Sequence, residues 1–100
     1  MNIFYFHTMT NRNRDRNEII ESIMQCVKNA MAQEGIGITR IMYNSYVPYN
    51  VVNQYLKFLI QNGSLEYHEP NKIYSITEKG LRFLELQNKL HELIKGKGIK

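Results

Sequence analysis

Cysteine is nearly missing from this chain, with Cys26 standing alone among 100 residues. One cysteine makes no internal disulfide, and no CxxC pair is present to hold zinc. The fold therefore has no covalent staples, and the compartment it suits is a reducing one, the cytoplasm. Cys26 falls inside a helical pattern, where it serves as a small apolar side chain rather than a nucleophile. No apolar run approaches the ~18 residues of a membrane span. No repeat or low-complexity segment appears either.

The groups that carry catalysis are scattered. His7, His68 and His91 lie far apart, and no Ser/His/Asp or Cys/His set can be placed at one site. The short GIG and GKG stretches lack the flanking pattern of a phosphate-binding loop. The expectation is a non-enzymatic protein with no metal, no cofactor and no evident small-molecule ligand.

A third absence carries more weight. Between Glu34 and Glu66 there is no Asp or Glu, and Arg40 and Lys57 are the only charges. A surface laid along phosphates excludes carboxylates, because each one repels the backbone and forfeits counterion release. The whole chain carries a formal net charge of +4. An excess of that size suits an acidic partner such as nucleic acid, or serves solubility alone.

The residues that are present read as helix, short helix, turn, helix, hairpin, helix. Met1–Thr10 (MNIFYFHTMT) is apolar but has no basic lead, so it makes a poor signal peptide. It reads as a loose terminus or as a strand that pairs elsewhere. Asn11–Asn17 is polar, and Arg12, Arg14 and Arg16 suggest a basic arm diluted by Asp15. Asp15 or Asn17 can cap the first helix. From Glu18 to Gln33 the residues Ile19, Ile20, Ile23, Met24, Val27, Ala30 and Met31 recur on one helical face, and Gly35 suits the stop. Gly35–Ile38 reads as a hinge or a very short strand. Thr39 is placed to cap a second helix, Arg40 to about Asn44. Pro48 suits the first turn of a third helix reaching Gln61, since its missing N–H needs no partner there.

In that third helix Tyr49, Val52, Leu56, Leu59 and Ile60 are expected to face the core. Asn50, Asn53, Gln54, Lys57 and Gln61 are expected to face out. Leu65–Glu69 and Ile73–Ile76 alternate as strands around a Pro70–Lys72 turn. Thr77 caps a last helix, Glu78 to about Lys95, and Gly96–Lys100 is a basic tail.

Two helices joined by a tight turn, followed at once by a hairpin, make a winged helix-turn-helix, a mainly α (α+β) class. The expected organisation is an N-terminal extension over 1–17, the winged domain over 18–80, and a dimerisation helix with its tail over 81–100. The outer face of the third helix offers amides rather than carboxylates, which suits the major groove of double-stranded DNA. Arg40 beside a helix N-terminus suits a phosphate, as does Lys72 at the wing tip. Tyr43, Tyr46 and Tyr49 surround the turn, where a hydroxyl reaches a phosphate or packs across the turn. Phe83, Leu86, Leu90 and Leu93 step three, four, three, a short heptad seam suited to a homodimer. Val51 and Phe58, toward the open side of the third helix, instead suit a winged helix used as a protein–protein module.

ITRIMYNSYVPYNVVNQYLKFLIQNG (Ile38–Gly63) and KIYSITEKGLRFLE (Lys72–Glu85) resemble the archaeal winged-helix family of small 10a-type chromatin proteins and related ArnR-like regulators. Thr39–Tyr43 and Thr77–Gly80 carry most of the likeness, which spans roughly four-fifths of the chain. The resemblance implies a DNA-binding chromatin or regulatory protein of the nucleoid, dimeric through an antiparallel coiled coil. It also implies DNA contact by Arg40, by Tyr49 and its neighbours, and by the wing. This sequence departs from the pattern at Pro48, where the family often has a capping serine. Its last helix is also shorter, and its N-terminal segment is an apolar addition.

Overall fold

The computed structural model describes residues 15–94. The expectations for Met1–Thr10, for Arg12 and Arg14, and for the Gly96–Lys100 tail lie outside the described residues.

Helix α1 (Arg16–Asn29) starts where the sequence places its cap: the Glu18 N–H donates to the Asp15 carboxylate at 2.9 Å. Ile20, Ile23, Met24 and Val27 form its buried face. The helix ends four residues before the expected Gln33. A 3-10 turn, Met31–Gln33, replaces the last turn, and Met31 is exposed rather than in the core. The cause is Gly35, at φ 142°, where a Cβ would lie 2.7 Å from the Tyr74 carbonyl oxygen. The chain must leave the helix early to reach that close approach.

Next, Ile36 pairs with Tyr74 through both backbone bonds, at 3.0 and 2.8 Å, so the expected very short strand is a single bridge onto the hairpin. Gly37, extended at the end of that bridge, becomes the N-cap of α2 (Ile38–Ser45). Thr39 is therefore inside the first turn and does not cap it. Ile41 and Ser45 are buried, and the Ser45 hydroxyl donates to the Ile41 carbonyl at 2.6 Å.

Tyr46 ends α2 in the left-handed region, at φ 58° and ψ 41°. Glycine or asparagine normally takes such a position. For a bulky side chain it costs about 1–2 kcal/mol. Tyr46→Gly is accordingly expected to be more stable than Tyr46→Ala by about 1 kcal/mol, because only glycine relieves the backbone. Urea unfolding of the two variants checks this, and an alanine variant as stable as the glycine variant would contradict it.

Helix α3 (Tyr49–Gln61) follows one residue later than expected, because Pro48 is extended (ψ 156°) and stands as the N-cap. Val52, Leu56 and Leu59 are buried, as their spacing requires. Tyr49, expected inward, is exposed, and Ile60 is half-buried. Strands β1 (Leu65–His68) and β2 (Ile73–Ile76) pair antiparallel, Leu65 opposite Ile76 and Tyr67 opposite Tyr74.

Thr77 caps α4 (Glu78–Leu93) through the Gly80 N–H, and its own hydroxyl reaches the Gly63 and Ser64 carbonyls. One side chain thus ties the end of α3 to the start of α4. Leu84 is buried, and Phe83 packs half-buried on the domain's own core rather than standing clear of it. The stripe left exposed on α4 is Leu86, Leu90, Leu93 and Ile94. The fold is thus the winged helix-turn-helix expected, with α1, α3 and α4 closing one core over the hairpin.

Candidate nucleic-acid interface

The outer face of α3 is built by helical spacing alone. Asn50, Gln54, Lys57 and Gln61 recur three and four residues apart, and all four are exposed. Asn53 joins them half-buried, and Phe58 stands 46% exposed at the edge. The core side of the helix carries the aliphatic residues, so no acidic side chain of α2 or α3 can reach this face: neither helix has one.

Arg40 is exposed in the first turn of α2, one turn from an N-terminus that no side chain caps. The unpaired N–H groups of such an end carry partial positive charge. The N-terminus of α3 is likewise without a side-chain cap and without an acidic residue in its first turn. The Ile36–Tyr74 bridge folds the wing turn against the start of α2, and a Cβ on Gly37 would lie 3.8 Å from the Lys72 carbonyl oxygen. Lys72, exposed at φ 58°, therefore lies beside the start of α2, the helix that carries Arg40. Sequence spacing gives no hint of that proximity.

Among the described residues the ion pairs are His68–Glu66, Arg82–Glu78 and His91–Glu21. None involves Arg40, Lys57 or Lys72, so these three cations remain available to an outside anion. The wing also carries two carboxylates, Glu66, 3.8 Å from His68 Nε2, and the exposed Glu69; His68 Nε2 itself lies 2.7 Å from the Ser75 hydroxyl.

Between the start of α3 and the wing lies an aromatic group that sequence reasoning missed in part. Tyr67 and Tyr74 face each other across the hairpin with ring centroids 4.9 Å apart. Burial, followed by the neighbouring Tyr67 and Tyr49 phenols, pushes the Tyr74 hydroxyl above its ordinary pKa. It stays a protonated donor at neutral pH. The available signal was the hairpin register, which puts residues 67 and 74 in one cross-strand pair. Tyr43, grouped by sequence with Tyr49, is placed elsewhere: it lines a cleft between α1 and α2 together with Tyr46. The described residues contain no cluster of potential metal ligands, and none of their helices is long and apolar enough to cross a membrane.

Residues 13–95 match a family model described as winged helix-turn-helix. Among solved structures, the chain is similar to Sso10a-2, described as a DNA-binding protein from Sulfolobus solfataricus. The two are 30% identical with a TM-score of 0.58, over 83% of this chain and 92% of that one. No curated protein matches.

Proposed function

Because the chain belongs to the winged helix-turn-helix family, we propose that it is a non-enzymatic protein that binds double-stranded DNA, an archaeal-type chromatin protein or transcription regulator of the nucleoid. The observation that carries this reading is the carboxylate-free α2–α3 surface, with Asn50, Gln54, Lys57 and Gln61 all turned to solvent. The likeness to a protein described as DNA-binding supports it.

In this account α3 enters the major groove. Its amides meet base edges, where Asn and Gln pair with adenine. The uncapped N-terminus of α2 with Arg40, and the wing with Lys72, lie on the phosphate backbone. Tyr49 at the start of α3 adds a hydroxyl there.

The same proposal includes a homodimer through α4. Leu86, Leu90, Leu93 and Ile94 form a stripe that the domain's own core leaves uncovered. A second copy of the helix covers it in the manner of a coiled coil. Phe83 contributes at most from the flank, since it is already half-buried on its own domain. Two-fold pairing places two α3 helices on one duplex, about one helical turn or a multiple apart.

Hydroxyl-radical footprinting on a duplex tests both parts. The expected result is paired protected patches on one side of the helix with that spacing. A single patch would contradict the dimer, and no protection would contradict DNA binding. The exposed Phe58 favours a second reading, a protein–protein module docked through α3. That reading predicts no footprint at all.

A further inference from the structure

Helix α3 (Tyr49–Gln61) contains no arginine, and Lys57 is its single cation. Guanine shows two acceptors to the major groove, N7 and O6, and is read by paired donors, which arginine supplies. Adenine shows one acceptor and one donor, N7 and the N6 amino group. A carboxamide carries one acceptor oxygen and one donor nitrogen side by side, so it matches adenine and mismatches guanine. Asn50, Gln54 and Gln61 are exposed carboxamides on the outer face of α3, and Asn53 is half-buried at its margin. The polar groups of this face therefore suit adenine far better than guanine.

Phe58 points the same way through different chemistry. The ring is 46% exposed. It lies four residues after Gln54 and three before Gln61, so both amides are its neighbours on the helix surface. Val51, half-buried, stands two turns earlier along the same edge. An apolar ring offers no hydrogen bond to a base edge. Thymine alone among the four bases carries an apolar group in the major groove, its C5 methyl. An apolar contact set between two amides thus fits adenine and thymine in neighbouring pairs.

We propose that the α3 face selects A·T-rich duplex through the major groove, with Gln54 and its neighbouring amides on adenine edges and Phe58 on thymine methyl groups. This selectivity rests on duplex binding as proposed above and gives Phe58 a place in it. Arg40 and Lys72 hold phosphates whatever the sequence.

The test is fluorescence anisotropy of the full chain, at one salt concentration, with three duplexes of about 20 base pairs in mixed order: A·T, G·C and inosine·cytosine. Inosine·cytosine keeps the major-groove edge of G·C but lacks the guanine N2 amino group, so its minor groove is that of A·T. The expected result is at least about tenfold tighter binding to A·T than to either other duplex. Uracil in place of thymine removes the methyl group alone and is expected to weaken binding about threefold or more. Phe58→Ala is expected to erase the difference between thymine and uracil, and Gln54→Ala to narrow the preference for A·T over G·C. Circular dichroism checks that both variants keep the parent's helical content. Equal binding to all three duplexes would overturn the selectivity while leaving duplex binding intact. Inosine·cytosine bound as tightly as A·T would overturn it as well, because the readout would then lie in the minor groove or its width. So would a folded Phe58→Ala variant that still separates thymine from uracil. Absence of binding to all three would overturn duplex binding itself.

Discussion

Replacing Arg40 and Lys57 together by glutamate is expected to lower duplex DNA affinity on the order of a thousandfold at 0.1 M salt. Both side chains are exposed, and neither takes part in an ion pair among the described residues. The exchange therefore leaves the core untouched, and helical content by circular dichroism should stay that of the parent. The loss has two sources. Each lysine or arginine removed gives up the counterion release of one phosphate contact, and each glutamate added faces a phosphate at close range. In a dimer both effects count twice. The position of Arg40 adds to its share, because the uncapped α2 terminus and the cation act on the same region. Fluorescence anisotropy with a labelled duplex measures the change. An unaltered affinity in a folded double variant would remove α2 and α3 from the interface.

Gly80→Ala is expected to destabilise the fold by about 3 kcal/mol, at the upper end of the cost of overpacking. A methyl group there would be driven onto the Ser64 carbonyl oxygen, and would lie 2.7 Å from Ile76 Cγ1 and 3.1 Å from Met24 Cε. Methionine can yield, but the Ser64 carbonyl cannot. It accepts from the Thr77 N–H at 3.1 Å and from the Thr77 hydroxyl at 3.0 Å, and the Ser64 N–H is itself bound to Leu59. Relief requires α4 to back away from α1 and the hairpin, which uncovers Leu84. For a domain of this size the loss corresponds to a fall in Tm of roughly 15 °C. Thermal unfolding followed by circular dichroism measures it. A shift under about 2 °C would show that α4 docks more loosely than the contacts at Gly80 imply.

What was legible in the sequence was periodic, and what was not legible was mostly a matter of non-local pairing. The buried faces of α1 and α3 follow from Ile20–Ile23–Met24–Val27 and Val52–Leu56–Leu59, because helical spacing fixes which side chains share a side. The Asp15 and Thr77 caps are local chemistry and stand where expected. The start of α2 was misplaced because Thr39 is a good cap by type. The Ile36–Tyr74 bridge holds the chain extended only as far as Gly37, which then takes the cap position. Pro48 shows the same kind of shift by one position, and Tyr49 turns outward with it.

The interface divides in the same way. The amide face of α3 is a helical repeat and was visible. The approach of Lys72 to the start of α2, the Tyr67–Tyr74 pair beside Tyr49, and the separation of Tyr43 from the α3 face all depend on elements distant in the chain.

Duplex affinity measured at 50 mM and at 200 mM salt bears most directly on the claim that this surface lies along phosphates. With Arg40, Lys57 and Lys72 engaged from each of two protomers, the logarithm of the binding constant should fall with a slope near −5. That amounts to roughly a thousandfold weakening between the two conditions. Binding that is absent at the lower salt, or equally strong at both, would contradict the account.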